Sequence, residues 1–235
     1  MKASTIRAWS RLHKIFGLVI GLQVLFWMAS GFYFTLYPIE NIRGDHLRAE
    51  IDHGKLEASE VTLTVQEAID ASSIWAFQAE LKMFMKRPVW KVSNSHDTRL
   101  IDAMTGERIS PISEGLARAI VTEGVPGLAK DNGTYFLLEE NAPREYGGRL
   151  QVWVFETEGA GERVYLDPMT AEIRAVRTTE WRIFDVFWRF HIMDVTGDDR
   201  FDSWWMKLAA FLGLAITITG FAILYHRLIR GRLFS

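Results

Sequence analysis

The sequence predicts an α+β membrane protein in which two transmembrane helices flank an exported domain of two similar units, each a helix followed by antiparallel strands. Three observations predict it. Two uncharged apolar runs lie towards the two ends of the 235-residue chain. All 29 acidic residues fall between them, with none at 1–37 or 204–235. A Val-Trp strand and an Asp-x-Met-Thr-x-Glu turn occur twice in the middle.

The first apolar run covers residues 15–37, interrupted only by Gln23, Ser30 and Thr35 and free of charge. At about 1.5 Å per residue it crosses a hydrocarbon core of roughly 30 Å. A secretory leader is the competing reading, since Lys2, Arg7, Arg11 and Lys14 form a basic start. The run exceeds the roughly 7–15 residues of a leader core, and Trp27, Phe32, Tyr33 and Phe34 make a poor cleavage region, so an uncleaved anchor is expected. The second run covers 208–225, lengthened by Trp204, Trp205 and Met206, with Lys207 close enough to the edge to snorkel. Trp204, Trp205 and Tyr225 stand where aromatic belts stand.

Basic flanks set the orientation. Four Lys and Arg precede the first span, and Arg227, Arg230 and Arg232 follow the second with no acid beside them. The positive-inside rule puts both termini in the cytoplasm. Residues 38–203 carry 19 Lys plus Arg against 29 Asp plus Glu, a net of about −10, and are exported. In a Gram-negative cell this means an inner-membrane protein with a periplasmic domain. The chain has no cysteine, so no disulfide is used there.

Inside the exported part, residues 89–107 and 152–172 repeat one plan: Val-Trp opening an alternating strand, a polar turn, a second strand, then the tight turns of 102–107 and 167–172. The copies start 63 residues apart, and Trp90 and Trp153 are expected in equivalent inward positions. Each hairpin follows a helical segment. Thr64 caps 65–72 with Glu67 three residues on, a capping box, and Ser110-Pro111 is expected to open a helix that stops near Gly124. Asn132-Gly133 and Gly147-Gly148 mark further turns. The organisation expected is a cytoplasmic 1–14, a span at 15–37, a first unit at 38–110, a second at 111–177, an amphipathic juxtamembrane segment at 178–203, a span at 204–225 and a cytoplasmic 226–235.

The unit of helix, Val-Trp strand and Asp-x-x-Thr-Gly-Glu turn resembles a PepSY domain, and the whole chain resembles the PepSY-associated transmembrane family. The marks are Arg11-Leu12-His13 before a span with Gly17 and Gly21, the stretch from Trp188 to Asp194 that includes Phe190-His191-Ile192-Met193, and Thr219-Gly220 late in the last span. The resemblance implies PepSY-like units in the periplasmic domain. It also implies, from some members, haem-containing ferric-siderophore reduction, usually with four spans where this chain has two. The second copy carries Ala171 where glycine would complete its turn.

Six histidines limit the haem chemistry: His13, His46, His53, His96, His191 and His226. His13 just before the first span and His226 just after the second are expected at one depth, as a bis-histidine haem b requires. Arg11, Lys14 and Arg227 would meet the propionates. The bland alternative makes both histidines markers of the membrane edge. On 180–193, Phe184, Phe187, Trp188 and His191 form one helical stripe and Arg182, Asp185 and Arg189 another, so the segment reads as an amphipathic helix on the outer membrane surface. His191 is then either an outer haem ligand or a docking histidine. His46, His53 and His96 lie in polar stretches and are expected to be exposed. Asp194, Asp198, Asp199 and Asp202 are read as a solvated loop in preference to a cation site.

No nucleophile elbow, zinc motif, phosphate loop or dinucleotide fingerprint is present, and the negative exported domain excludes nucleic acid. Electrons would have to come from a partner protein or the quinone pool. Two helices make a small enclosure for a macrocycle, which favours a homodimer or larger complex. The expectation is a haem b electron-transfer protein acting towards a ferric siderophore; the alternative is a non-enzymatic module that binds a periplasmic protein.

Overall fold

The computed structural model describes residues 3–159, 161–194, 196–197, 199–200 and 202–229. Lys2, Asp198, Arg230 and Arg232 of the sequence argument lie outside the described residues. The chain forms two compact units, one of residues 39–182 and one that joins 1–38 to 183–235.

The mixed unit repeats itself as expected of its sequence. After the short helix α2 (Ile39–Arg43), helix α3 (Val65–Ser72) starts at Thr64, whose hydroxyl accepts from Glu67 N while Glu67 returns a bond to Thr64 N. Strands β1 (Gln78–Phe84), β2 (Arg87–Ser93) and β3 (Thr98–Asp102) follow as an antiparallel meander. The second copy has α4 (Glu114–Gly124), a short α5 (Pro126–Ala129), then β4 (Gly133–Leu138), β5 (Val152–Thr157), β6 (Arg163–Leu166) and β7 (Ile173–Arg177) in sequential antiparallel order. Opposite β3, the first copy keeps only a single bridge at Arg108 where the second has all of β7.

The tryptophans show the repeat most directly. Trp90 pairs with Ile101 and Trp153 with Leu166, in each case the residue before the turn aspartate. Their indole N–H groups donate to Leu63 O and Ile112 O at 3.1 and 3.0 Å, the residues that precede the two helix N-caps. Both rings are half-buried. The strand-to-turn spacing is two residues longer in the second copy, and the hairpin loop after β5 absorbs the difference without disturbing the pairing. The turns match bond for bond: Asp102 Oδ1 accepts from Met104 N and Thr105 N, and Asp167 Oδ1 from Met169 N and Thr170 N.

Two features differ from the sequence reading. Ser113, not Ser110, caps the fourth helix, accepting from Leu116 N. Ser110 is buried and joins the two copies instead, donating to Met169 O at 2.6 Å and accepting from Leu100 N at 2.9 Å. Gly133 starts β4 instead of a turn, pairing with Thr157, and a side chain there would run into the Phe155 ring.

Alternation along the strands creates four cores. One face of the first sheet lays Val92 and Ile101 on Ala68 of α3. Its other face lays Val89 and Leu100 on Ala117 and Ile120 of α4 and on Leu166, so the two copies share a core. The second sheet packs Phe155, Val164 and Val176 on Val121, Val125 and Leu128, and covers its far face with Tyr146.

The helical unit contains α1 (Ala3–Leu36), α7 (Trp204–Ile229) and the end of α6 (Thr179–His191). Two helical stretches, Arg7–Leu36 and Trp204–Ile229, are long and apolar enough to cross a membrane, and little of the apolar part of either is buried. Leu18, Leu22, Met28 and Phe32 of α1 and Phe211, Leu214 and Phe221 of α7 are exposed. A core helix would cover such side chains, so lipid is the environment that their exposure fits, and this is a membrane protein.

Candidate functional site

The sequence points to histidines, and the helical unit holds three of them. Helices α1 and α7 run antiparallel in direct contact because small residues line their seam. A methyl added at Gly220 would come within 3.2 Å of His13 Cε1, and one at Gly213 within 3.3 Å of Trp27. His13 Nδ1 lies 3.1 Å from Ile216 O and 3.0 Å from Thr219 Oγ1. A carbonyl can only accept, so Nδ1 carries a proton, and in the neutral ring Nε2 holds the lone pair.

His191 repeats this arrangement at a different level. Its Nδ1 lies 2.8 Å from Ser30 Oγ, whose own proton goes to Phe26 O at 2.6 Å. Ser30 therefore accepts, Nδ1 is again the protonated nitrogen and Nε2 again holds the lone pair. Burial lowers the pKa of His191, which disfavours its charged form. His13 and Ser30 are 17 residues apart on α1, or about 26 Å along the helix.

The level of His226 comes out differently from the sequence reading. His13 faces Ile216, Thr219 and Gly220, whereas His226 lies seven residues beyond Thr219, about 10 Å farther along α7. The register of the antiparallel pair, not the ends of the apolar runs, sets which residues share a level. Arg11, Lys14 and Arg227 are exposed, the first two beside His13 in sequence and the third beside His226. The aromatic stripe of α6 packs onto α1. Phe187 stacks on Tyr33 at 4.5 Å, Phe190 on Phe26 at 5.1 Å, and Phe184 meets Phe34 at 4.7 Å. Trp27 Nε1 donates to His191 O at 2.6 Å and Gln23 to Phe190 O at 3.0 Å.

Beyond His191 the helix ends in a Schellman turn. Met193 adopts φ 52° where glycine is usual, Asp194 N donates to Arg189 O and Met193 N to Phe190 O. Asp194 Oδ1 then accepts from Gly197 N at 2.7 Å, and Asp202 pairs with Arg200. Among the described residues no three His, Asp or Glu gather into a metal cluster.

In the mixed unit, Glu145 is the most enclosed ion-pair partner, with a side chain only 10% exposed. Arg182 donates to it at 2.9 Å, Arg163 at 3.2 Å and Tyr165 Oη at 2.8 Å. Burial pushes the Glu145 carboxyl up, but bonds from Arg182 and Tyr165 and the charges of Arg182 and Arg163 outweigh it and hold it below its ordinary value. Burial and the adjoining carboxylate push the Tyr165 phenol well up. With every oxygen engaged, this cluster is a structural clamp. His53, expected to be exposed, is half-buried: its Nδ1 accepts from Met85 N at 3.2 Å and its ring lies on Phe84.

No match was found among curated proteins or among solved structures. Residues 73–235 match the family described as the PepSY-associated TM region, a stretch that holds both turns, the segment around His191 and all of α7. With more than two thirds of the chain inside that match, the protein belongs to the PepSY-associated TM region family.

Proposed function

We propose that the protein is an inner-membrane haem b electron-transfer protein that works as a homodimer, with both termini cytoplasmic and residues 39–182, read as two PepSY-like units, in the periplasm. The observation that carries this reading is the shared state of His13 and His191. Each is anchored through Nδ1–H, which is how ligating imidazoles are held, and each leaves the Nε2 lone pair without a hydrogen bond among the described residues. A haem does not fit between α1 and α7 of one chain, which are in contact at Gly213 and Gly220. The arrangement proposed is one axial ligand per chain at each of two levels, with a second copy supplying the other imidazole about the twofold axis.

Bound haem would supply a one-electron redox couple at each level. The chain's own part is to orient both imidazoles through Nδ1–H and keep the two levels about 26 Å apart. Arg11 and Lys14 stand beside His13 for propionates. The donor would be a partner protein or quinol on the cytoplasmic side, and the acceptor a ferric siderophore at the periplasmic side. The visible spectrum of the purified full chain tests this. Bis-histidine bands that weaken in His13→Ala and His191→Ala but persist in His226→Ala are expected. Colourless protein from haem-replete cells would overturn it and leave a periplasmic interaction module anchored by two helices.

A further inference from the structure

A cleft of about 420 Å³ opens in the mixed unit where the two copies meet. Lys82 of β1, Arg48 and His53 enter it from the first copy's side, and Ala171 to Ile173 close it from the second. Part of its wall is apolar: Phe84, Ile51, Ile120 and Ile173 border it, beside Thr170 and Glu172. Lys82 pairs with Val89 across the strands, so its side chain leaves the sheet on the face that packs against the second copy. There it is half-buried, and it makes no hydrogen bond or ion pair among the described residues. The nearest counter-charge is already engaged. Glu172 holds Lys91 through Oε1 at 3.3 Å and Arg174 through Oε2 at 3.0 Å.

His53 adds a donor. Met85 N–H occupies its Nδ1, so the ring proton of the neutral form sits on Nε2. A concave site with an unpaired ammonium and an imidazole N–H over aliphatic and aromatic walls suits an anion with an apolar body, while the Arg48 guanidinium at its edge is held by Ile173 O and Asp45. Burial, with Lys91 adding to it, pushes the Lys82 ammonium below its ordinary range against the pull of Glu172 and Glu80, which is the state that an arriving carboxylate would relieve.

We propose that this cleft is a binding site for a small organic acid, its carboxylate on Lys82 and its apolar body against Phe84, Ile120 and Ile173. The site is independent of the histidines in the helical unit. Calorimetry on the full-length protein in a non-ionic detergent tests it, with 4-phenylbutyrate as the probe and its neutral amide and inorganic phosphate as comparisons. Saturable binding of 4-phenylbutyrate at one site per chain is expected, with both comparisons at least tenfold weaker. Lys82→Gln and Lys82→Met should each weaken the acid about tenfold, the loss of one charge contact, and Lys130→Gln should not. Equal binding of acid and amide, equal binding of phosphate, or unchanged affinity in folded Lys82→Gln would overturn the proposal. So would no saturable heat up to about 5 mM probe. The acid–amide comparison uses the unaltered protein, so a variant that fails to fold leaves the test intact.

Discussion

Gly106 and Ala171 stand at the same left-handed corner of two equivalent turns, with φ of 77° and 59°. An L side chain there costs about 1–2 kcal/mol. Gly106→Ala meets Leu63 Cδ2 at 3.4 Å and is expected to lower unfolding stability by about 1 kcal/mol in denaturant titration. Ala171→Gly removes the strain but also the methyl of a residue only 7% exposed, worth about 0.8 kcal/mol, and loosens the unfolded chain, so a change within about 0.5 kcal/mol is expected. These turns were legible because their bonds run between neighbours in sequence. Glu145 was not, since Arg163, Tyr165 and Arg182 reach it from 18 to 37 residues away. Its lowered pKa fixes the sign of a second expectation. The stabilisation is present in full above the ordinary value of 4.5 and is lost as the pH falls through the lower folded value. Glu145→Gln should cost about 1–3 kcal/mol at pH 7, and the gap in thermal midpoint from the parent should narrow below pH 4.5. A gap that widens on acidification would contradict the clamp.

Among the elements, α3 could be placed from its capping box alone, whereas α4 starts three residues later than Ser110-Pro111 suggests because Ser110 finds longer-range partners. For α6, periodicity identified the aromatic face but not what covers it. A helical stripe reports that something apolar lies opposite, and α1 and a lipid surface satisfy it equally well on paper. What sequence does not encode locally is the pairing of Ser30 with His191 and of Trp27 with the His191 carbonyl across more than 160 residues. Ser30→Ala leaves the His191 Nδ1–H without its acceptor. Loss of about 1 kcal/mol of docking is expected, read as roughly fivefold faster amide exchange over residues 187–194 with no change over α3. Unchanged exchange in that segment would mean that aromatic stacking alone holds α6.

At the scale of the whole molecule, the sequence showed the two spans because membrane thickness dictates their length, but it could not show their register. Counting from the ends of the apolar runs puts His13 level with His226, while the packed seam puts His13 against Thr219 and Gly220. That shift makes the proposed haem arrangement quantitative. If His13 met His226 within one chain, monomeric protein would bind haem and either substitution would empty the same site. If instead His13 and His191 each pair with their own copies in a twofold dimer, two haems serve two chains, about one haem per chain. His13→Ala then removes one whole level and leaves about half a haem per chain, His191→Ala removes the other with the same result, and the double variant binds none. His226→Ala stays at the parent value. Haem content by pyridine haemochrome, set against protein mass for a dimer of 27.0 kDa chains, measures this directly. Equal loss in His13→Ala and His226→Ala, with His191→Ala unaffected, would require α1 and α7 to separate and would overturn the paired-chain arrangement.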